Sequence, residues 1–307
     1  MPDEGSQLGL DLNQQTDEFA RIWDATVALP DAQRAAAFKA EFAKVLPGFY
    51  DHRRFDGMNE AKYDERLLKG LKEYPAQRAS IARVSREFTE LMAPALASFE
   101  KAFGPMTGYR PVYLVDSFGE FDGGTRTLAD GEHLMFGADM IDKLYRTTPI
   151  QPFFHHELFH LYHGRTFGNC DPIWCSLWTE GLAVYVASKL NPDANDASLL
   201  LTFPVPLRAA VESNRTAAIC SVVAKLDSTN SADYPPLFQG RPQPGAKFPP
   251  RYGYYIGYLI AQDLGRSRSL EQLAALTPTQ AEPLIKASLH AMAECPAPAA
   301  NTGAERG

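Results

Sequence analysis

The sequence has no excess of basic residues and no long apolar run. Its 30 lysines and arginines are outnumbered by 37 acidic residues, which gives a formal net charge of −7. An acidic chain has no broad electrostatic attraction for nucleic acid or anionic lipid, so we expect neither as a partner. No stretch approaches the roughly 18 consecutive apolar residues that a membrane-spanning helix needs, so we expect no transmembrane segment.

The start of the sequence lacks the basic residues and the apolar stretch of a secretory signal peptide. The protein is therefore either cytoplasmic, or exported after removal of a signal, and the sequence leaves both open. Cysteine is also scarce: the four are Cys170, Cys175, Cys220 and Cys295. They are compatible with two disulfides in an oxidising compartment and equally with buried free thiols. The short spacing of Cys170 and Cys175 favours a local disulfide over a second metal site.

What is present is an ordinary globular balance, with 45% hydrophobic and 22% charged residues in 307. The periodicity of apolar residues predicts a mostly helical N-terminal region over 1–105, with helices at 16–46 (interrupted at Pro30), 59–74 and 76–104.

Beyond residue 105 the pattern changes to short strands followed by further helices. We predict strands at 109–118 and 132–136, joined by a glycine-bearing loop over 119–131. The segment 229–250, rich in Pro, Gly and Ser, predicts a surface loop or lid. Helices are expected at 252–264 and 280–293, and a disordered tail at 296–307. The fold class is therefore α+β, mostly helical, with a second domain at 106–295.

The most informative segment is FFHHELFHLYHG at 153–164, which contains the pattern HExxH at His156, Glu157 and His160. On a helix, positions four residues apart share one face, so the two imidazoles can converge on one Zn²⁺. Glu157 can then reach a water bound to that metal and act as general base. The rest of this helix is apolar nearly all round, and buried charge without a partner is costly. The alternative is a core helix whose histidines are satisfied by hydrogen bonds.

A catalytic zinc site needs three protein ligands, and the neighbouring histidines do not supply the third. The metzincin continuation HExxHxxGxxH is absent, because residue 163 is His and residue 166 is Thr. His163 shares the face but lies about 10.5 Å from His156 along the axis, so we expect it beside the site or at the surface. His155 points about 100° away from His156 and is not expected to be a ligand.

The segment WTEGLAVYVA begins at Trp178, and nineteen residues lie between His160 and Glu180. This arrangement resembles the gluzincin pattern, in which HExxH is followed by a glutamate on a second helix. The resemblance makes Glu180 the third metal ligand and implies a zincin core, similar to that of thermolysin, with a small sheet beside the motif helix. Gly181 would let the two helices approach closely. The aspartate that usually follows four residues after the third ligand in thermolysin is Val184 here.

A closer resemblance is to the bacterial DUF2268-like group of predicted zinc-dependent proteases. It is carried by HHELFH, by WTEGLAVYVA and by the segment RYGYYIGY at 251–258, and it covers about residues 106–290. Gluzincins aim a Tyr or His at the oxyanion from a helix after the third ligand. The 251–258 segment is the natural source, and Tyr254 is the favoured residue, with Tyr252, Tyr255 and Arg251 in reserve. A purely structural aromatic stripe is the alternative.

These observations together predict a zinc metallopeptidase acting on a peptide or protein substrate. The strand around 133–136 would bind the substrate main chain, as gluzincin edge strands do. Three alternatives remain open: a zinc hydrolase of a non-peptide amide or ester, an inactive binding module that keeps the fold, and a structural zinc protein. The last would need a fourth protein ligand, for which the sequence offers no obvious candidate.

Overall fold

A computed structural model describes residues 10–296. The chain groups into two compact units, Met1–Leu161 and Tyr162–Gly307, and the boundary between them lies within the helix Gln151–Phe167. The predicted division into a helical N-terminal region at 1–105 and a domain at 106–295 stays a prediction. Nearly all of the predicted tail at 296–307 falls outside the described residues.

The first unit consists of helices with one small sheet. Its elements in chain order are β1 (Leu12–Gln14), α1 (Thr16–Thr26), α2 (Asp31–Phe42), α3 (Glu60–Phe103), β2 (Val112–Val115), β3 (Gly123–Leu128), β4 (Gly131–Gly137), α4 (Ala138–Tyr145) and α5 (Gln151–Phe167).

The sheet is mixed, with the strand order β1-β2-β4-β3. Strand β2 pairs in parallel with β1 and with β4, whereas β3 and β4 form an antiparallel hairpin. The predicted strands at 109–118 and 132–136 correspond to β2 and β4. The predicted loop at 119–131 is wrong in its middle, because β3 lies there. A strand of sequence GGTRTL lacks the hydrophobic alternation that would reveal it, since its outer edge and part of one face meet solvent.

Helix α3 is a single helix of 44 residues, where the sequence predicted two helices that meet near Pro75. A proline in a helix interior removes the N–H that would bond to the carbonyl four residues earlier. For Pro75 that carbonyl belongs to Leu71, and the indole N–H of Trp23 donates to it at 2.7 Å. A side chain from α1 thus replaces the missing donor, which explains why the helix continues.

An aromatic cluster forms the core between α1, α2 and α3. The Phe19 ring has its centroid 5.1 Å from that of Phe38 and 4.7 Å from that of Tyr74. Each fully buried aromatic side chain of this kind contributes about 1.5–3 kcal/mol. A second aromatic cluster, around Phe136, packs the sheet against α5 through Phe153 and Phe154. The sheet therefore lies beside the motif helix, as predicted.

The second unit contains only helices among its described residues. They are α6 (Ile173–Leu190), α7 (Leu207–Glu212), α8 (Arg215–Val223), α9 (Tyr234–Phe238), α10 (Tyr252–Leu264), α11 (Leu270–Ala274) and α12 (Pro278–Met292). The predicted helices at 252–264 and 280–293 correspond to α10 and α12. The predicted loop at 229–250 is partly helical, because the five-residue helix α9 lies within its first half.

Helix α6 begins without a side-chain cap, since its N-cap residue is Pro172. Backbone carbonyls replace the missing cap, because the N–H of Ile173 donates to Ser228 and that of Trp174 donates to Leu226, both at 3.0 Å. The first-turn donors of a buried helix need such partners. The disulfide between Cys170 and Cys175 ties the start of the same helix to the preceding loop.

Two glycines bring α6 and α10 into direct backbone contact. A Cβ built on Gly181 would lie 2.0 Å from the carbonyl carbon of Gly257, and one built on Gly257 would lie 2.1 Å from the oxygen of Leu177. Only glycine fits both positions. The close approach that the sequence predicts between Gly181 and the HExxH helix is therefore found between Gly181 and α10 instead.

A second disulfide joins Cys220 of α8 to Cys295, just after α12. All four cysteines are thus paired, and no cysteine is free. Of the two alternatives left open by the sequence, the structure has the disulfides.

We expect Gly257→Ala to lower the free energy of unfolding by about 3 kcal/mol or more, because a backbone oxygen cannot rotate away from the new methyl group. Thermal unfolding followed by circular dichroism measures the change. Gly164→Ala in α5 is the matched control, since its Cβ would meet nothing within 4 Å. Alanine favours a helix over glycine, so the control should unfold at the same or a higher temperature. Equal unfolding temperatures for the two variants would contradict the helix contact.

Candidate metal centre

The helix that carries the motif is buried by its apolar side chains. Phe154, Leu158 and Phe159 are fully buried, and Phe153 is 4% exposed. The helix ends three residues later than the predicted stop at Gly164. It runs to Phe167, and Gly168 follows with φ 66° and donates to the carbonyl of Gly164 at 3.2 Å. Gly168 is the residue that takes the left-handed conformation of a helix stop.

His156 and His160 face the same point from successive turns of α5. Their Nε2 atoms are 2.9 Å apart and their ring centroids 4.6 Å apart. Two nitrogens that bind one tetrahedral zinc at 2.0–2.1 Å lie about 3.3 Å from each other. The observed separation is close to this value, so a small opening of the pair admits an ion.

Glu180 of α6 joins this pair. One ligand atom from each of His156, His160 and Glu180 lies within 4.8 Å of the other two. All three side chains are partly exposed, which leaves the group accessible from solvent. Among the described residues, no other group of three or more His, Cys, Asp or Glu side chains converges in this way. The three ligands expected from the sequence are therefore brought together.

Glu157, the expected base, is 6% exposed and lies against the start of β3. A Cβ built on Gly123 would be 2.9 Å from the Glu157 Cγ and 2.7 Å from the Phe153 ring. The glycine thus allows the strand to pass directly over the carboxylate-bearing side chain. No sequence signal marked Gly123 for this role, apart from the Gly-Gly pair that had indicated a loop.

His155 is held away from the ligand pair, as expected. It is 1% exposed, and its Nε2 lies 2.7 Å from the Ser98 hydroxyl and 3.0 Å from the Ala95 carbonyl oxygen of α3. Burial lowers the pKa of His155 to about 4, so the ring is neutral at physiological pH. This histidine is a satisfied core residue.

His163 is likewise absent from the converging group. The sequence placed it beside the site or at the surface, and the surface alternative is wrong, because the side chain is only 1% exposed. Its ring stacks on Phe167 one turn later, with centroids 4.8 Å apart. The apolar environment of the helix extends to this last turn and covers the imidazole.

The tyrosines of α10 have distinct partners. Tyr252 is buried, with its hydroxyl 2.9 Å from that of Ser221. Tyr255 is also buried and donates to Glu212 at 2.8 Å, and burial together with that carboxylate raises its pKa to about 12. Both tyrosines held in reserve for the oxyanion role are therefore engaged in the helix packing of α7, α8 and α10.

Tyr254 is only partly buried, and it lies on the turn of α10 that precedes the Gly257 contact. Its ring packs edge-on against Phe238, with centroids 5.9 Å apart, and the Arg251 guanidinium lies over its face at 4.4 Å. The phenol is thus attached to a rigid helix that contacts α6 one residue beyond Glu180. It remains the favoured tyrosine of this segment.

The strand predicted to bind substrate main chain has no free edge at its centre. Met135 and Phe136 of β4 pair with β2 on one side and with β3 on the other. The prediction is therefore wrong for 135 and 136, because a strand segment paired on both sides cannot accept a third strand. The sheet has two edge strands, β1 and β3, and within residues 10–296 no strand pairs with the outer side of β3.

The chain matches no protein family model, no curated protein and no solved structure. None of the helices among residues 10–296 is both long enough and apolar enough to cross a membrane. The functional argument consequently depends on the motif and on the geometry of the side chains around it.

Proposed function

We propose that this protein is a zinc-dependent peptidase of the gluzincin type, with a zincin core in which His156, His160 and Glu180 hold the metal. The observation that carries the proposal is the convergence of one ligand atom from each of these three side chains within 4.8 Å. Two imidazoles and one carboxylate are the donor set of catalytic zinc sites, which keep the fourth position open for water or substrate. The residues present fit the ion.

Zinc bound in such a site lowers the pKa of water and polarises the substrate carbonyl. Glu157, the residue after the first ligand, takes the proton of the attacking water and delivers it to the leaving amine. Its buried position against Gly123 restricts the carboxylate to few orientations, which favours proton transfer along one direction.

Tyr254 is the proposed donor to the developing oxyanion. A phenol on a rigid helix can donate one hydrogen bond to the oxygen that gains charge, and such preorganised donors are worth about 2.7–4 kcal/mol in other hydrolases. Two observations support Tyr254 for this role. Its ring is partly exposed, and the hydroxyls of Tyr252 and Tyr255 are hydrogen-bonded to residues of other helices.

A peptide substrate is favoured by the outer edge of β3. An extended peptide can add to an exposed sheet edge through main-chain hydrogen bonds. Because β3 begins at Gly123, against the Glu157 side chain, a peptide paired with this edge would pass close to the proposed base. A small amide or ester would gain nothing from such an edge.

The two disulfides bear on the compartment. Disulfides persist in oxidising environments and are rare in the reducing cytosol. We therefore favour the exported alternative over the cytoplasmic one. Both pairs, Cys170 with Cys175 and Cys220 with Cys295, supply this support.

We expect the purified protein to bind about one zinc ion per chain, and Glu180→Ala to weaken zinc binding by about a hundredfold or more, since removal of even an outer-shell partner costs 10–100-fold. Competition with a chelator, read by elemental analysis, measures the affinity. Glu132→Ala, on the exposed side of β4, is the control for the loss of one carboxylate. A folded wild type that takes up no zinc would contradict the proposed centre.

Glu157→Gln should keep its zinc and lose peptide hydrolysis by a factor of about 100 to 10,000, the usual contribution of general acid–base catalysis. Cleavage of labelled casein and of a quenched peptide library, with zinc content measured in parallel, tests both statements. Glu90→Gln, on the exposed face of α3, removes the same charge and should cleave as wild type does. Hydrolysis by Glu157→Gln at the wild-type rate would refute the assigned role. A zinc-loaded wild type that cleaves no peptide would favour the binding-module or non-peptide alternatives.

We expect no reactive thiol in the denatured, unreduced protein when it is isolated from an oxidising compartment, and four after reduction. Alkylation followed by mass spectrometry counts them. Four reactive thiols before reduction, in protein that is folded and active, would contradict the exported assignment.

A further inference from the structure

Arg251, the residue before α10, has a backbone conformation that an arginine rarely adopts. Its φ is 68° and its ψ is 7°, in the left-handed region. Non-glycine residues incur strain there, and such outliers cluster at sites where the conformation serves a function. The position is also unfavourable for a cation, because the N-terminal end of a helix carries partial positive charge. Backbone strain and an unfavourable interaction with the helix dipole thus both occur at Arg251.

The side chain of Arg251 is held by aromatic rings and not by a carboxylate. Its guanidinium carbon lies 4.4 Å from the centroid of the Tyr254 ring and 5.6 Å from that of Phe203. One N–H group points to the Phe203 carbonyl oxygen at the long distance of 3.4 Å. Among the described residues, no acidic side chain forms an ion pair with this guanidinium.

Arg208, in the same unit, provides the contrast. It also lies over an aromatic ring, with its guanidinium carbon 4.9 Å from the Tyr255 centroid. However, Asp196 accepts two hydrogen bonds from Arg208, each at 2.7 Å. A stacked arginine with a carboxylate serves packing, whereas the fork of Arg251 keeps most of its donors available for a carboxylate from elsewhere.

The surroundings of Arg251 present an apolar rim. Phe203 and Val205 are each 40% exposed, and they are two of the four large hydrophobic side chains that are exposed among the described residues. Gly240 lies against Phe203 and Arg251: a Cβ built there would be 3.3 Å from the Phe203 ring and 4.0 Å from the Arg251 Cδ. A guanidinium beside an exposed aromatic ring can bind a ligand in which a negatively charged group is attached to apolar carbon.

Arg251 lies at the N-terminal end of α10, the helix that contacts α6 beside Glu180. Arg251 precedes Gly257 by six residues, which is about 9 Å at the helical rise of 1.5 Å per residue. Gly257 contacts Gly181, the residue after Glu180. An extended chain advances about 3.3 Å per residue, so 9 Å corresponds to two or three residues of substrate.

We propose that Arg251 binds a carboxylate of the substrate, two or three residues from the bond that is cleaved. The inference rests on the proposed function, because a peptide substrate is what makes the anion a carboxylate. That carboxylate is either the free C terminus of the peptide or an acidic side chain within it, and the guanidinium recognises both by the same hydrogen bonds. Arg251 is a specificity-determining residue, and Tyr254, on which it stacks, is held in place by the same contact.

The test measures binding and not turnover, so that it does not depend on hydrolysis. The zinc-loaded Glu157→Gln protein is titrated into fluorescein-labelled peptides while anisotropy is recorded. The first pair of probes is Ala-Ala-Phe-Ala-Ala with a free C-terminal carboxylate and the same peptide as its C-terminal amide. The other pairs are C-terminal amides in which the second or the fourth residue is replaced by Glu or, as the neutral partner, by Gln. We expect at least one carboxylate peptide to bind about tenfold or more tightly than its neutral partner, since hydrogen bonds to charged groups are the stronger ones.

Two substitutions at Arg251, made in the same Glu157→Gln protein, then assign the preference. Arg251→Gln and Arg251→Gly should both bring the carboxylate peptide to the affinity of its neutral partner. Glycine adopts φ 68° without strain, so Arg251→Gly should fold at least as well as the parent. Arg266→Gln, after the other end of α10, removes the same charge and should keep the preference.

The outcomes separate the two proposals. A carboxylate preference that disappears only in the Arg251 variants supports the site, and this holds even if the wild type cleaves no peptide and the proposed function fails. A wild type that cleaves peptides, while the Glu157→Gln protein binds carboxylate and neutral probes equally, keeps the function and overturns the site. A preference that survives in Arg251→Gly also overturns it.

Discussion

Dehydrating polar side chains on an apolar helix costs free energy unless each gains a partner, and α5 carries such side chains at its centre. His156 and His160 are only partly exposed, and Glu157 is almost fully buried. The divalent cation proposed to bind between the two imidazoles and Glu180 would balance that cost and would account for the four-residue spacing. The apolar surface of α5 also packs the helix against the sheet, and this packing fixes the direction in which the side chains of His156 and His160 point.

In the second unit, two glycines hold the helices that carry Glu180 and Tyr254 in fixed positions. Because Gly181 and Gly257 bring the backbones of α6 and α10 into contact, Glu180 and Tyr254 are carried by helices that cannot slide past each other. The start of α6 is held by backbone carbonyls from 226 and 228 and by the disulfide of Cys175. A proposed metal ligand and a proposed oxyanion donor on one rigid helix pair would meet the need for preorganised groups in the proposed hydrolase.

The sequence predicted the helical elements well wherever periodicity was strong, as at α10, and the motif spacing predicted which three side chains converge. It failed where the decisive partner is distant in sequence. The continuity of α3 through Pro75 depends on the indole of Trp23, which lies 48 residues before its acceptor in the chain. Strand β3 depends on Gly123 passing over Glu157, and the tight contact of Gly181 depends on Gly257. Local pattern contains no information about such partners, since tertiary packing overrides propensity.

The disulfide between Cys220 and Cys295 encloses every element from the end of α8 to α12, together with the irregular stretch 239–250. This stretch is mostly exposed and rich in Pro and Gly, features typical of sites where a protease cuts a folded chain. A single cut there leaves two pieces that stay covalently joined, with α10 and Arg251 on one piece and α6 on the other. For a protein proposed to hydrolyse peptide bonds, autolysis at this stretch would add only one water to the disulfide-linked molecule, and two separate chains would appear only after the bond is reduced.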